Sequence, residues 1–300
     1  MMLTGTRVAD AYPTRTAGER EPFDRTHPAV WGTEQDGPLD AATLASHESN
    51  GFSVVEQLLS PAEVQGYWQE LTRLSNDQEL AGDERVVTEK KSGEVRSVFE
   101  VHRLSELITE LVHDSRVLDR ARQILGDDVY VHQCRVNYMP GFEGAGFYWH
   151  SDFETWHAED GMPVPRAVSC SIALTDNYPF NGGLMVMPGS HRVFVPCAGE
   201  TPRNHYRDSL REQEIGVPSK HEITKLAAEY GIEQFTGQAG SALWFDSNVM
   251  HGSGNNITPY PRSNIFIVFN SVTNALVEPF AADEPRPNFI ANRDFTPLSR

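Results

Sequence analysis

The spacing of hydrophobic positions changes character near residue 128 of the chain. Before that point the pattern predicts helices and one short strand at 52–55. Beyond it, β-branched and aromatic residues gather in short runs separated by Gly, Pro and Asn, which is typical of strands and turns. The predicted helices cover residues 41–49, 61–74, 104–112, 115–125 and 221–230, and the predicted strands cover 129–138, 147–150, 167–174, 184–187, 241–245 and 264–272.

Two of these helices carry recognisable boundary signals. Ser60 and Glu63 stand three residues apart around Pro61, which is the pattern of a capping box with proline at the first helical position. Asp40 is a candidate N-cap for the preceding helix, and Gly51 is a candidate breaker at its end. We therefore expect both helices to begin directly after their capping residues.

The order of the elements indicates the fold class. Helices come first and strands second, without the alternation of strand and helix that a doubly wound sheet requires, and no GxGxxG or GxxxxGK[ST] loop is present. We predict a mainly β protein with flanking helices, namely a jelly roll that carries an N-terminal helical layer. Residues 1–40, which lack any apolar period, are predicted to form an irregular arm, and residues 41–300 a single domain.

The net charge and the cysteine content limit the partners and the cellular compartment that we expect for the protein. The 300 residues include 25 Lys and Arg against 42 Asp and Glu, a net charge of −17 that argues against nucleic-acid and membrane partners. No apolar run approaches the roughly 20 residues of a membrane span, and residues 1–25 contain no apolar signal segment. Cys134, Cys170 and Cys197 form no CxxC pair, and their odd number argues against a disulfide framework. We expect a cytoplasmic protein.

A candidate metal site begins at His150-Ser151-Asp152. In extended chain, residues i and i+2 project to the same face, so this imidazole and carboxylate can share one metal ion. Taken alone, the triplet also fits a surface histidine beside an acid. His251 is the candidate third ligand, although a lone histidine is commonly satisfied by backbone groups. Two imidazoles and one carboxylate on one face of an octahedron leave open positions, as in non-heme Fe(II) oxygenases.

Arg262 adds a fourth element at the start of the last strong strand. If Fe(II) binds the keto-acid end of 2-oxoglutarate, the far carboxylate needs a fixed cation, and a guanidinium can bind it through a bidentate fork. A lone arginine after Pro261 would otherwise be interpreted as a surface charge. Its significance comes from its occurrence together with His150, Asp152 and His251.

A long segment around the first two candidate ligands carries a family resemblance. The run FYWHSDFETWHAEDGMP at 147–163 resembles the signature of ectoine hydroxylases, a branch of the phytanoyl-CoA hydroxylase-like superfamily of Fe(II)- and 2-oxoglutarate-dependent dioxygenases. The similarity continues through 166–191 and returns at 250–253 and at 12–15. It implies a double-stranded β-helix of the cupin type and a homodimeric oxidoreductase that converts ectoine to 5-hydroxyectoine, an osmolyte of the stress response.

The resemblance also implies a role for each matching position. An ectoine molecule is a zwitterion with a delocalised amidine cation, which fits an aromatic face such as that of Trp156. Without the resemblance, Trp156 and Phe269 would be assigned to core packing. The implied iron ligands are His150, Asp152 and His251, the implied 2-oxoglutarate partners are Arg262 and Ser253 with Gln133 and Asn137 lining the pocket, and the implied substrate contacts are Thr155, Trp156, Phe269 and Gln133.

Four further titratable residues, Glu154, His157, Glu159 and Asp160, follow the HxD triplet closely. We predict that none of them is a metal ligand, because extra carboxylates would close the positions that the cosubstrate and O₂ require. Some are expected to orient His150 by hydrogen bonding, and the rest are expected to form a solvated loop.

Two alternative functions stay open at this point. The same machinery can act on another small amino-acid-like substrate. A β-barrel that binds a metal or an osmolyte without turnover would carry similar residues. Hydroxylated product separates an enzyme from a binding module, and the identity of that product separates the two substrates.

Overall fold

The protein is described by a computed structural model that covers residues 9–89, 93–142, 144–210 and 215–299. Its strands pair in antiparallel fashion. The strands are β1 (Phe23–Asp24), β2 (Phe52–Val55), β3 (Val86–Thr88), β4 (Val95–Phe99), β5 (Val129–Met139), β6 (Phe147–His150), β7 (Ala167–Ala173), β8 (Leu184–Val186), β9 (Val193–Phe194), β10 (Glu233–Gln234), β11 (Ala242–Asp246), β12 (His251–Ser253) and β13 (Arg262–Ser271).

Two of the sheets pack face to face. The larger sheet has the order β2-β11-β7-β13-β5-β4-β3, and the smaller has the order β10-β8-β12-β6. Val186 of β8 joins Phe245 of β11 and Phe266 of β13 in one buried apolar cluster, so side chains of both sheets fill the space between them. Facing antiparallel sheets with this non-sequential strand order form a jelly roll, which confirms the predicted fold class.

Helices cover the outer face of the larger sheet. Leu71, Ile108 and Leu118 project from three of them into a cluster that includes Val136 of β5 and Ile265 of β13. In the part of the chain that the structure describes, no helix is long and apolar enough to cross a bilayer. The helices are α1 (Ala41–Asn50), α2 (Pro61–Ser75), α3 (Glu106–His113), α4 (Ser115–Leu125), α5 (Asp152–Thr155), α6 (Tyr206–Ser209) and α7 (Lys220–Tyr230).

The predicted capping signals of α1 and α2 are confirmed. Asp40 accepts a hydrogen bond from the backbone N–H of Thr43 at 2.8 Å, and α1 ends at Gly51 in the left-handed conformation with φ +77°. The hydroxyl of Ser60 accepts from the backbone N–H of Glu63 at 3.3 Å, and the Glu63 carboxylate accepts in return from the Ser60 N–H at 2.7 Å. This reciprocal pair is the capping box, and it starts α2 at the predicted residue.

Several short elements differ from the prediction, including β1, β9, β10, α5 and α6, which were not predicted, and α7, which begins at Lys220. β3 and β4 were not predicted from the pattern, since three to five residues are too few to show a clear alternation. The helix predicted from residue 104 begins at Glu106, because Ser105 caps it by accepting from the backbone N–H of Ile108 at 3.4 Å.

The described part of the N-terminal arm lies against the jelly roll. Its one strand, β1, pairs with β9, and backbone hydrogen bonds such as that from the Arg15 N–H to the Cys197 carbonyl add to its side-chain contacts. Tyr12 is buried and meets the ring of Phe153 edge-on at 5.0 Å between centroids. Arg25 pairs with Asp246 at the end of β11, with 2.6 Å between Nη1 and Oδ1. The arm therefore contacts the segments that follow β6 and β11, from which the candidate metal ligands project.

Candidate metal centre and substrate cavity

Three side chains from two distant segments of the chain converge between β6 and β12. These strands are antiparallel neighbours, and His251 stands directly opposite His150 in their register. The two imidazole centroids are 4.3 Å apart, and Asp152 follows from the first residue of α5. Its oxygens lie 3.6 Å from Nε2 of His150 and 3.8 Å from Nε2 of His251. One ligand atom of each residue lies within 4.8 Å of the others, and the predicted triad is thus brought together.

The hydrogen bonds around the triad fit a divalent cation. Nδ1 of His150 lies 2.7 Å from the carbonyl oxygen of Tyr148, and Nδ1 of His251 lies 3.1 Å from that of Val249. These bonds assign the proton of each ring to Nδ1 and leave both Nε2 atoms as donors for a metal. Oδ2 of Asp152 is buried and has no hydrogen-bond partner among the described residues. A metal ion at the centre of the triad would satisfy this oxygen.

Local electrostatics favour the protonation states that bind a metal. Burial opposes the charge of Asp152, but the neighbouring His251, His150 and Arg135 outweigh it and lower the pKa of this carboxyl to about 2. Burial, aided by His150, lowers the pKa of His251 to about 4. At neutral pH the carboxylate is therefore ionised and His251 is neutral, which are the ligand forms that a metal requires.

The triad opens into a cavity that extends between the two sheets, with about 1150 Å³ of space when its mouth toward solvent is included. A concave site that combines aromatic walls with a few polar groups is typical of small-molecule binding. Most of the residues predicted from the sequence line this cavity together. They are the metal-site residues His150, Asp152 and His251, the predicted cosubstrate residues Arg262, Ser253, Gln133 and Asn137, and the predicted substrate residues Thr155 and Trp156.

Arg262 supplies a positive charge to the cavity. The residue is partly buried, and its Nε atom is buried without a hydrogen-bond partner among the described residues. Burial and the nearby Arg96 lower the pKa of Arg262 to about 10, so the guanidinium keeps its charge at neutral pH. Ser253 at the end of β12 lines the same cavity and accepts a hydrogen bond from the backbone N–H of Phe147. A guanidinium in this position is suited to bind a carboxylate.

One predicted substrate contact is corrected by the structure. Phe269 does not line the cavity, because its side chain is fully buried in the core beneath the helices and stacks on Trp244 at 6.3 Å between centroids. Three residues earlier on β13, Phe266 projects from the opposite face of the sheet and lines the cavity with Phe245. Phe266 rather than Phe269 is thus the aromatic residue that β13 supplies to the cavity wall.

The residues that follow Asp152, from 154 to 160, also differ from the prediction. The predicted solvated loop is wrong, because α5 continues into a buried π-helical turn, Trp156–Asp160. His150 takes its Nδ1 partner from its own strand, so the expected hydrogen bond from this segment is also wrong. Glu154 pairs with Arg15, and Asp160 pairs with Arg286. These charged side chains are buried because cations from distant parts of the chain neutralise them.

Arg135 is a cavity residue that the sequence analysis missed. It is partly buried on β5, and its Nε atom is buried without a hydrogen-bond partner among the described residues. Burial lowers the pKa of Arg135 to about 10, and its guanidinium carbon lies 4.6 Å from the centroid of the Phe266 ring. Gln133 and Asn137, two positions to either side, line the same cavity. The alternation of a strand was a signal that could have indicated Arg135.

Comparison with known proteins decides the family. A model of phytanoyl-CoA dioxygenase (PhyH) matches residues 47–264 of the chain, which include the triad and Arg262. The chain belongs to the phytanoyl-CoA dioxygenase family. This membership agrees with the resemblance found in the sequence and with the facial arrangement of two histidines and one aspartate.

Within the phytanoyl-CoA dioxygenase family, the chain is similar to proteins named for ectoine. It is 66% identical over 289 residues to the ectoine dioxygenase of Nocardia farcinica, covering 96% of this chain and 95% of that protein. The structure of EctD from S. alaskensis with 2-oxoglutarate and 5-hydroxyectoine is 43% identical, covers 95% of both chains and superposes with a TM-score of 0.86. The structure of the same protein with bound Fe is 42% identical, covers 96% of both chains and has a TM-score of 0.85.

Proposed function

We propose that this protein is an ectoine hydroxylase, which converts ectoine to 5-hydroxyectoine. It consumes 2-oxoglutarate and O₂ and releases succinate and CO₂. The relatives named ectoine dioxygenase and the EctD complex with 2-oxoglutarate and 5-hydroxyectoine support this activity over nearly the whole chain. The observation that carries it is a triad whose Asp152 Oδ2 lacks a hydrogen-bond partner among the described residues, set in a cavity lined by Arg135 and Arg262, whose Nε atoms also lack one there.

His150, Asp152 and His251 would hold the Fe(II) ion through the two Nε2 atoms and the carboxylate. When bound, the iron supplies the oxidative chemistry that couples decarboxylation of 2-oxoglutarate to hydroxylation of the substrate. The protein contributes fixed ligands, since each imidazole is oriented by a backbone carbonyl. Its three-residue ligand set keeps the other coordination positions free for the cosubstrate and O₂.

Arg262 would bind the distal carboxylate of 2-oxoglutarate with the help of the Ser253 hydroxyl. The backbone of Arg262 pairs with Met139 at the start of β13, so the base of this side chain is fixed before any ligand binds. Asn137 lies on the neighbouring strand, where its Oδ1 accepts from the hydroxyl of Ser97 at 2.9 Å. Gln133 lies four positions earlier and donates to the carbonyl of Ile290 at 2.8 Å. These bonds fix two polar groups along the cavity wall before any ligand enters.

The opposite charges of an ectoine zwitterion match two parts of the cavity. The carboxylate would pair with Arg135, whose charge is otherwise balanced only by the more distant Asp152 among the described residues. The amidine cation would lie against the indole of Trp156, a contact worth about 0.5–2 kcal/mol depending on desolvation. Thr155 and Phe266 would complete the wall around the ring.

A comparison of substrates tests this function. The iron-loaded protein is incubated with 2-oxoglutarate and with ectoine, proline or a fatty acyl thioester, and succinate and hydroxylated product are both measured. We expect equal amounts of succinate and 5-hydroxyectoine with ectoine, and neither product above background with the other two compounds. Hydroxylation of proline but not of ectoine would favour the alternative substrate class. Binding of ectoine without any hydroxylated product would favour a non-catalytic osmolyte-binding module.

We further propose that the protein is a homodimer. Aromatic side chains on adjacent loops form an exposed patch, in which Tyr178 stacks on Phe180 at 5.1 Å and both contact the ring of Tyr260. Phe180 and Tyr260 are half exposed, and Ile257, three residues before Tyr260 in sequence, is 79% exposed. Contiguous apolar surface of this kind favours association. Light scattering should give the mass of a dimer that Phe180→Asp shifts toward the monomer, and a monomeric wild-type protein would contradict the proposal.

A cytoplasmic location and a single catalytic domain complete the proposal. Cys134, Cys170 and Cys197 are free and buried, which suits a reducing compartment. Residues 41–300 would form the catalytic domain, and the arm 1–40 would lie on its surface. Cell fractionation tests the location, and limited proteolysis tests the domain, because cleavage inside 41–300 as readily as inside 1–40 would contradict it.

A further inference from the structure

Arg15 of the N-terminal arm lies behind the substrate side of the cavity, buried against α5. Its Nε donates to Oε1 of Glu154 at 2.7 Å, and its Nη2 donates to Oε2 of the same carboxylate at 3.0 Å. Nη1 donates to the hydroxyl of Thr201 at 3.0 Å and lies 3.2 Å from Oε1 of Glu159. One guanidinium therefore joins two carboxylates that are five residues apart in sequence.

The π-helical turn explains how Glu154 and Glu159 face the same arginine. In an α-helix, residues five apart lie about 140° apart around the axis and cannot share one cation. The wider turn at Trp156–Asp160 brings residues five apart onto one side. Glu154 faces Arg15 outside the cavity, whereas Glu159 contacts Arg15 and also lines the cavity together with Thr155 and Trp156.

The surroundings of Arg15 make this contact rigid and dry. Its side chain and those of Glu154 and Glu159 are at most 3% exposed. Gly216 packs so closely that an added Cβ would lie 2.1 Å from Nη2 of Arg15 and 2.8 Å from Oε2 of Glu154. Two like charges held together in such a place repel each other strongly unless a cation lies between them.

The backbone of Arg15 is held in an unfavourable conformation at this point. Its φ is +54°, a left-handed value that non-glycine residues rarely adopt. The backbone N–H of Arg15 donates to the carbonyl of Cys197 at 2.8 Å, and the hydroxyl of the preceding Thr14 donates to Glu154 at 2.6 Å. The surrounding structure thus maintains a strained residue whose side chain reaches the carboxylate, which is a pattern found at functional positions.

We propose that Arg15 is a positioning residue for substrate binding, which clamps Glu154 and Glu159 and so holds the π-helical turn that presents Thr155 and Trp156. The inference rests on the proposed function for the identity of the substrate. The link to Thr155 is direct, since its hydroxyl donates to Oε2 of Glu154 at 3.4 Å. Arg15 itself does not line the cavity and acts through these side chains.

Removal of the Arg15 guanidinium is expected to disturb substrate binding through the π-helical turn. Without the guanidinium, Glu154 and Glu159 repel, and the π-helical turn rearranges together with Trp156. Displacement of a positioning group by about 1 Å can cost up to a hundredfold in rate. Arg262 is on β13, away from this turn, so binding of 2-oxoglutarate should persist. Substrate that is badly placed against the oxidant uncouples the consumption of 2-oxoglutarate from hydroxylation.

Four variants test the proposal. Arg15→Ala removes the clamp, and Arg15→Lys keeps the charge but loses the fork and preserves more of the packing. The double variant Arg15→Ala/Glu159→Gln also removes the repulsion between the two carboxylates. Arg73→Ala is the matched control, because Arg73 forms a half-exposed pair with Glu70 on α2. Each protein is assayed for KM with ectoine and 2-oxoglutarate, for succinate formed per 5-hydroxyectoine, and for hydrogen exchange of residues 152–162.

We expect Arg15→Ala to raise the KM for ectoine about tenfold or more, to leave that for 2-oxoglutarate within about twofold, and to release succinate in excess over product. Hydrogen exchange should accelerate at 152–162, and the double variant should recover part of the loss. Arg15→Lys should show the same pattern more weakly. The proposal would be overturned if both KM values changed equally, or if succinate and 5-hydroxyectoine still formed in equal amounts. It would also be overturned if hydrogen exchange at 152–162 were unchanged in Arg15→Lys and Arg15→Ala.

The exchange measurement separates this inference from the proposed function. It uses no substrate, so it reports on the clamp even if ectoine is not hydroxylated. Failure of the wild-type protein to hydroxylate ectoine would overturn the proposed function, whereas unchanged exchange at 152–162 in the Arg15 variants would overturn the clamp.

Discussion

The hydroxyl of Ser151 donates a hydrogen bond to the side-chain oxygen of Asn248 at 3.0 Å. Ser151 stands between the ligands His150 and Asp152, and Asn248 precedes the ligand His251 by three residues. The amide nitrogen of Asn248 donates in turn to the carbonyls at 191 and 193, at 2.8 and 3.0 Å. This buried bond adds a side-chain link between the two chain segments that supply the metal ligands, which are also joined by the pairing of β6 with β12.

Ser151→Ala should loosen this connection. It leaves the buried oxygen of Asn248 without its partner, which costs about 1–3 kcal/mol of the free energy of unfolding. It also weakens iron binding, because the chain between His150 and Asp152 loses its side-chain bond to the segment that leads to His251, although the pairing of β6 with β12 remains. Denaturant unfolding of the metal-free protein and a metal titration measure both effects. Ser46→Ala, at an exposed position on α1, is the control, and equal stability of the two variants would refute the connection.

Arg262→Ala should weaken binding of 2-oxoglutarate much more than binding of ectoine. Loss of a charge-assisted bidentate contact costs about 1.5–3 kcal/mol, which corresponds to a rise of about ten- to a hundredfold in the KM for 2-oxoglutarate. The KM for ectoine should change much less, since Arg135 would bind that substrate. Steady-state kinetics with each compound varied in turn give both values, and Arg103→Ala, a half-exposed arginine, is the control. Equal increases would mean that Arg262 does not bind 2-oxoglutarate.

Two phenylalanines on β13 should respond differently to truncation. Phe266→Ala removes part of the cavity wall and should raise the KM for ectoine with a smaller loss of stability. Phe269→Ala opens a hole in the core under the helices and should lower the free energy of unfolding by about 3–5 kcal/mol while leaving the KM for ectoine unchanged. Kinetics and denaturant unfolding of both variants test the assignment. If only Phe269→Ala raised the KM for ectoine, Phe269 and not Phe266 would be the residue that contacts the substrate.

Side chains alternate between the two faces of a strand, and this alternation explains which cavity residues the sequence could indicate. Arg262, Asn264 and Phe266 all line the cavity because they alternate on one face of β13, and Phe269 has the opposite parity. The predicted contact of Phe269 therefore conflicted with the predicted role of Arg262 on the same strand. The same rule, applied to Gln133 on β5, would have indicated Arg135.

The buried ion pairs could not be predicted from local sequence. Glu154 and Asp160 belong to a run of charged residues, and such runs are usually exposed to solvent. Their partners, Arg15 and Arg286, are 139 and 126 positions away, and no periodicity connects them. The jelly roll and the capped helices were predictable because alternation and capping are local signals. The metal triad was predictable because the HxD spacing and the surrounding signature are specific.

Buried histidines should make the metal-free protein less stable in mild acid. Burial lowers the pKa of His47 to about 4, against 6.5 for an exposed histidine. Between pH 6.5 and 4 the unfolded chain therefore binds more protons than the folded chain, and the free energy of unfolding falls as the pH decreases. From pH 7 to 5 we expect His47 to account for about 1–2 kcal/mol of this fall.

Urea unfolding of the metal-free protein at pH 7 and 5 measures the contribution of His47. The His47→Gln variant, in which this group no longer titrates, should lose less stability over the interval than the wild type. The same loss in both proteins would show that His47 does not titrate with a lowered pKa.

The most direct test of the account is mass spectrometry of a reaction that contains ectoine, 2-oxoglutarate, ferrous ion and isotopically labelled O₂. The wild-type protein should form 5-hydroxyectoine and labelled succinate in equal amounts, and Asp152→Ala, which lacks one of the three metal ligands, should form neither. Hydroxylation of ectoine by Asp152→Ala at the wild-type rate, or succinate from the wild-type protein without any hydroxylated ectoine, would contradict the account.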